Sequence, residues 1–208
     1  MKGKSGTANR TARERLLIGA AELFTRKGYA ATTVREIVAQ AKVTKPVLYY
    51  YFRNKEGIYR ELMGESFALL DGLLETSRGA PGTAGEKLIR LCDQVFSLFL
   101  EHIKVVRVMY SIYYGPHQGA PFFDFDAYHL KFQQSIRRLV NEGIRRGEFR
   151  RGNGGDMTWA VIGAVNVAME VELGHPEMRI GREGLARVLR LIFRGMSPEK
   201  GRTKGERE

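Results

Sequence analysis

Two short helical patterns set only a few residues apart, Thr33 to Ala41 and Thr44 to Phe52, restrict this chain more than any other feature. Thr33-Val-Arg-Glu36 has the spacing of a capping box, in which the threonine hydroxyl and the glutamate carboxylate each satisfy a backbone N–H left unpaired at a helix start. The helix it opens buries Val34, Ile37 and Val38. After a tight break at Ala41-Lys42-Val43, Thr44 is placed to cap the second helix, with Pro46 in its first turn where a missing N–H costs nothing. Two such helices in tandem form a helix-turn-helix, whose second member can enter a major groove N-terminus first.

The rest of the chain reads as helical too. Leu16, Leu17, Ala20, Ala21, Leu23 and Phe24 draw one apolar stripe along a helix from Thr11 that Gly28 ends. Asn54 caps a long fourth helix to about Ser77, and 79–85 is loop by composition. Glu86–Leu100, Ile103–Tyr113, Ala127–Arg146, Met157–Leu173 and Glu183–Arg194 carry helical periodicity between Gly, Pro or Asn clusters. The expected fold is all-α with about nine helices. An N-terminal three-helix DNA-binding domain covers 1–56, with a disordered basic start at 1–9. The helical domain at 57–196, about twice the length of this head, is expected to bind a ligand and to dimerise, and 197–208 are expected to form a disordered tail.

Charge is concentrated where the helix-turn-helix lies. The chain carries +11 overall, and Met1 to Met63 hold thirteen Lys/Arg against five Asp/Glu, so most of the surplus sits in under a third of the length. Such a surplus favours polyanions through counterion release. Cys92 is the single cysteine, which excludes an internal disulfide framework and multi-cysteine zinc sites and fits a core position in a reducing compartment. The basic start has no apolar segment behind it, and Trp159 to Val171 is interrupted by Asn166 and Glu170, so a soluble cytoplasmic protein is expected.

The side chains at the start of the second short helix suit a mixed reading surface. Lys45 can donate to a guanine edge or a phosphate, Thr44 to either, and Pro46 and Val47 suit a thymine methyl. Tyr49-Tyr50-Tyr51 point around the helix, so at least one faces outward, and their hydroxyls, with Lys55 at the next helix start, are phosphate donors; the alternative packs the tyrosines beneath the helix.

TVREIVAQAKVTKPVLYYYFRNKEGIY closely resembles the DNA-binding domain of the tetracycline-repressor (TetR) family, above all in Leu48-Tyr49-Tyr50-Tyr51-Phe52 followed by Lys55-Glu56. The resemblance is strong over roughly residues 10 to 60. Elsewhere it extends only to the number and length of helices and the closing pattern Leu185 to Met196. It implies that Thr33, Arg35, the helix from Thr44 to Tyr50, and Lys55 touch DNA. Lys42 stands where the family usually has Gly, and Tyr51 where His is frequent. A non-glycine residue at positive φ costs about 1 kcal/mol, Lys42 can add a backbone contact, and a tyrosine hydroxyl can replace an imidazole as donor.

The resemblance also implies a ligand cavity among the middle helices, a four-helix dimer interface from the last two, and release from DNA when an effector respaces the reading heads. Aromatic density in the middle of the chain fits a cavity or simply a core. The candidate lining is Phe99, Tyr110, Tyr113, Phe125, Tyr128, Phe132, Trp159 and Met169, with His102, Arg107, Asn166 and Glu170 as polar anchors. Asn166 and Glu170 share one face of an otherwise apolar helix, where burial would require partners. A two-fold dimer implies a pseudo-palindromic operator, and the long fourth helix would couple sensor to head.

Catalysis is not expected. His102, His117, His129 and His175 show no metal-ligand spacing, and neither a phosphate-cradling loop nor a nucleophile elbow is present, so no cofactor or metal is assigned. The rival reading is a non-specific, architectural DNA-binding protein without effector response.

Overall fold

The computed structural model describes residues 10–117 and 119–198. Among them it is all-helical: α1 (Ala12–Lys27), α2 (Val34–Ala41), α3 (Lys45–Phe52), α4 (Lys55–Thr76), α5 (Ala84–Glu101), α6 (Ile103–Tyr113), α7 (Phe125–Arg145), α8 (Gly154–Gly174) and α9 (Gly181–Met196), with short 3₁₀ turns at Ser77–Gly79 and Pro176–Met178. The expected start at 1–9 and all but the first two residues of the tail at 197–208 lie outside the described residues. No helix among the described residues is long and apolar enough to cross a membrane.

The helix ends follow local chemistry. The Thr33–Glu36 capping box forms as expected, and a second one, Thr11 with Glu14, opens α1. Gly28, at φ 85°, ends α1 in a conformation that glycine adopts without a Cβ clash. Asn54 caps α4 through its side-chain oxygen, which accepts from Gly57 N–H at 2.7 Å. Three expectations need correction. Ala84 and Gly85 are helical rather than loop, because Thr83 and Glu86 form another reciprocal cap, with Thr83 N–H donating to Glu86 at 2.9 Å and Glu86 N–H to the Thr83 hydroxyl at 3.2 Å. α8 starts at Gly154, three residues before Met157, because Asn153 caps it by accepting from Gly155 N–H. Thr44 precedes α3 but makes no capping hydrogen bond.

The chain divides into two compact units. Of the described residues, one contains those through Leu69 together with those in His102–Phe125; the other contains Leu70–Glu101 and those from Asp126 onward. α4 runs through this division without a break.

In the first unit α1 packs on α2, α3 and α6, and α2 packs on α3. Leu16, Ala20 and Phe24 of α1, Ile37 of α2, Leu48 of α3, Ile58, Tyr59 and Met63 of α4, and Val108 of α6 are almost fully buried. Phe24, Tyr29 and Tyr59 form a chain of rings with centroids 5.2 and 5.3 Å apart. Burial pushes the Tyr59 hydroxyl up to about 12, with a smaller contribution from Tyr29, so it stays neutral at ordinary pH. Arg13 ties α1 to α4 by ion pairs with Glu61 and, at 2.7 Å, with Glu65.

In the second unit α5 packs on α9 and α8, and α8 packs on α9. Leu88, Leu91, Cys92 and Phe96 of α5, Ile136, Leu139 and Val140 of α7, Val161, Ile162 and Val165 of α8, and Leu185 and Leu189 of α9 form its core. Cys92 is buried as expected, and burial pushes its thiol up to about 12. Lys87 of α5 reaches Glu142 of α7 at 2.8 Å, and Arg182 of α9 grips both carboxylate oxygens of Asp93 at 2.8 and 2.5 Å.

The outer side of α8 departs from expectation. Glu170 is exposed, and the buried carboxylate of this helix is Glu172, which pairs with Arg179 at 3.0 Å. Trp159, Gly163, Val167 and Glu170 recur at helical spacing and are all exposed, Trp159 by 57% and Val167 by 58%. On α9, Val188 and Leu191 are exposed as well, Leu191 by 70%.

Candidate DNA-binding site

Leu48 and Phe52 lie four residues apart on α3 and are both buried, which fixes the helix against α1 and α2 and decides what its other side presents. Thr44, Lys45, Pro46, Tyr49 and Tyr50 are exposed, while Val47 is half-buried. Tyr50 is 82% exposed and Tyr49 50%, so neither packs beneath the helix; Tyr51, at 42%, lies edge-on to Tyr50 with centroids 4.9 Å apart. The missing cap at Thr44 leaves its hydroxyl outside the helix's own hydrogen bonding. This face opens on small polar and basic groups and continues as phenols, a set able to donate both to base edges and to phosphates.

Around it the first unit places the other sequence candidates. The Thr33 hydroxyl accepts from Glu36 N–H at 3.3 Å and donates to the Glu36 carboxylate at 2.8 Å, so it is committed to its cap, and Arg35 beside it is exposed. Lys27 lies 2.5 Å from Glu36. That ammonium, and then the Thr33 N–H and hydroxyl, hold the Glu36 carboxyl well below the usual range, at about 2. Lys42 adopts the left-handed conformation expected of the turn, at φ 53° and ψ 51°, with its side chain exposed.

Lys55 points elsewhere. Its ammonium donates to the Tyr29 carbonyl at 2.8 Å and sits 4.2 Å from the centre of the Tyr29 ring, tying the start of α4 to the loop after α1. Burial, and then the charge of Lys27, lower its pKa. The group that sequence reasoning assigned to a phosphate is thus engaged inside the unit. Sequence reasoning also passed over Arg53, exposed at the end of α3 with φ 61°, although a basic residue directly after an aromatic run was a legible signal.

Residues 16–62 match the family model described as "Bacterial regulatory proteins, tetR family". Over this segment the chain carries the DNA-binding domain of TetR-family transcriptional regulators. The TetR-family match covers α2, α3 and the turn between them, the segment whose geometry is described above. Among relatives, the probable HTH-type transcriptional regulator YttP of Bacillus subtilis is 30% identical over 100 residues, 47% of this chain and 48% of that protein. The HTH-type transcriptional repressor KstR2 of Mycolicibacterium smegmatis is 29% identical over 151 residues, 72% of this chain and 73% of that one. The crystal structure of the TetR-family regulator PfmR from Thermus thermophilus shares the fold with a TM-score of 0.70 at 25% identity, over 88% of this chain and all of that one.

The candidate ligand residues fall in both units. Tyr110, Tyr113 and Phe125 come together in the first unit in one aromatic cluster that also holds Phe67, Tyr114 and Phe123. Phe67 stacks on Phe123 at 4.9 Å, Tyr113 meets Phe125 edge-on at 5.8 Å, and Tyr110 lies 5.3 Å from Tyr114. His102 and Arg107 are half-buried in the same unit. In the second unit Phe99 and Phe132 are buried, Tyr128, Asn166 and Met169 are half-buried, and Trp159 and Glu170 face outward on α8. Phe67 was missed because it lies on α4, well before the aromatic-dense middle of the chain, and only the loop before α7 brings Phe123 onto it.

Among the described residues no group of His, Cys, Asp and Glu could hold a metal ion.

Proposed function

We propose that the chain is a repressor that holds a palindromic operator as a dimer and lets go when a small, largely hydrophobic effector binds. One observation carries this reading: the exposed Thr44–Tyr50 face of α3, backed by buried Leu48 and Phe52, is a rigidly seated reading surface. On this reading Thr44, Lys45, Pro46 and Val47 read base edges. Arg35, Lys42, Tyr49, Tyr50 and Tyr51 hold the backbone, and Thr33 orients the start of α2. Lys55 contributes by buttressing the loop after α1, and can add a phosphate contact only by leaving Tyr29.

In this proposal the DNA-binding domain is 1–56 and the sensing and dimerising domain 57–196. The apolar outer stripes of α8 and α9, with Trp159, Val167, Val188 and Leu191, support a second copy of the chain as the occupant of that face. The aromatic cluster around Phe67 supports an effector with flat apolar surface, and KstR2, at 29% identity, bears the name of a repressor. A cytoplasmic location follows from this role, since the operator lies there.

The test is selection from a random DNA pool at near-physiological salt, with the full chain and with a Lys45→Ala/Tyr50→Ala variant. One enriched palindrome, lost in the variant, is the expected result. Tight but salt-sensitive binding without enrichment would replace this reading with a non-specific, architectural one. A promoter fusion carrying the enriched site then reads the sign of regulation.

A further inference from the structure

Within the second unit, the C-terminal end of α4, the 3₁₀ turn after it and the middle of α7 border an open cleft of about 550 Å³, a volume that accommodates a small organic molecule. Its walls carry three cations, Arg78, Lys131 and Arg138, and two carboxylates, Asp71 and Glu75. The two carboxylates are taken: Lys131 donates to both oxygens of Asp71 at 2.9 Å, and Arg78 lies 3.0 Å from Glu75. Arg138 is left without an ion-pair partner among the described residues, and one of its terminal guanidinium nitrogens is buried with no hydrogen-bond acceptor. One turn further along α7, Glu142 pairs through one carboxylate oxygen with Lys87 at 2.8 Å and Arg146 at 3.1 Å, and although the Arg138 charge acts on it, it makes no hydrogen bond to that nitrogen.

A guanidinium is always charged and presents donors in a fixed fork that matches two oxygens of one anion. Leaving one of its N–H groups buried and unpaired is unfavourable, and proteins that do so generally provide the partner from elsewhere. We propose that this cleft binds a small organic anion whose carboxylate or phosphate head pairs with Arg138, with Gln134 offering a neutral hydrogen bond beside it. The cleft is lined by none of the residues assigned above to DNA or to a hydrophobic effector. It stands whether or not the operator reading holds.

The test is calorimetric titration of the DNA-free full chain with glycerol 3-phosphate and with succinate, at ionic strength held constant with chloride. Saturable binding of at least one is expected, about tenfold or more weaker in Arg138→Gln and partly restored in Arg138→Lys, which keeps the charge but loses the fork. Arg137→Gln, an exposed neighbour on α7 outside the cleft, is the folding control and keeps most of the affinity. Equal binding by wild type and Arg138→Gln, or none by wild type to either anion, would overturn the proposal. A phosphate-only or carboxylate-only response names the head group. Failure here leaves the DNA selection untouched, and the reverse also holds.

Discussion

Lys104 on α6 donates to the Glu22 carboxylate on α1 at 2.6 Å, and the Thr25 hydroxyl donates to the Lys104 carbonyl at 3.3 Å. Helix α6 is thereby part of the same compact unit as the reading helix, although some fifty residues of sequence separate it from α3. Side-chain hydrogen bonding to Lys104 lowers the Glu22 pKa. More than half of the Lys104 side chain is exposed, so solvent screening keeps the pair weak: a Glu22→Gln/Lys104→Met double-mutant cycle, read by denaturant unfolding, should return a coupling of about 0.2–1 kcal/mol. A value near zero would mean that the ion pair adds nothing to the Thr25 hydrogen bond and the apolar packing that join α6 to α1.

Tyr50 and Leu48 should respond in opposite ways. Tyr50→Ala removes an exposed side chain and should lower affinity for the selected DNA site by about 1–3 kcal/mol while leaving Tm nearly unchanged. Leu48→Ala empties a fully buried position and should cost about 2–5 kcal/mol of stability. Paired gel-shift and thermal unfolding measurements separate the two, and a stability loss in Tyr50→Ala would refute its placement on the reading face.

Gly57 occupies the third position of α4, where an added Cβ would run into the backbone carbonyl of Phe52. Backbone cannot swing aside as a side-chain tip can, so Gly57→Ala should destabilise the chain by about 1–3 kcal/mol and disturb the end of α3. Full stability with full DNA binding in this variant would show that the α3–α4 turn relaxes freely.

Acid should unpick the start of α2. The folded-state pKa of Glu36 is about 2 against an ordinary 4.5, so its contribution is fully present above pH 4.5 and is lost as pH falls toward 2. Stability–pH curves of wild type and Glu36→Gln should differ most above pH 4.5 and converge as pH approaches 2. Parallel curves throughout would assign the difference to something other than this ionisation.

The outer faces of α8 and α9 predict the assembly state. Leu191→Glu places a charge on a 70% exposed apolar position, so the folded protomer should tolerate it while self-association fails. Light scattering should then report a monomer with unchanged helicity. A dimer that persists in Leu191→Glu and in Trp159→Glu would move the interface elsewhere.

Much of this molecule could be read before any fold was known. Thr33–Glu36, Gly28, Pro46 and Asn54 are short-range signals whose hydrogen bonds close within a few residues, so the boundaries of α1 to α4 follow from local chemistry alone. Thr11–Glu14 and Thr83–Glu86 carry the same signature and were legible too, had the pattern been sought at every threonine.

The sequence by itself determined an all-helical chain, a helix-turn-helix near its start and a basic bias around it, because capping, periodicity and charge act over one or two turns. Only the tertiary structure decided that Lys55 turns to the Tyr29 carbonyl, that Glu172 rather than Glu170 is buried, that Phe67 joins Phe123, and that one buried nitrogen of Arg138 is left without an acceptor. Each of these depends on which distant segment packs against a residue. Helical periodicity says which residues share a face, but what that face meets is set by long-range burial, which local spacing does not encode.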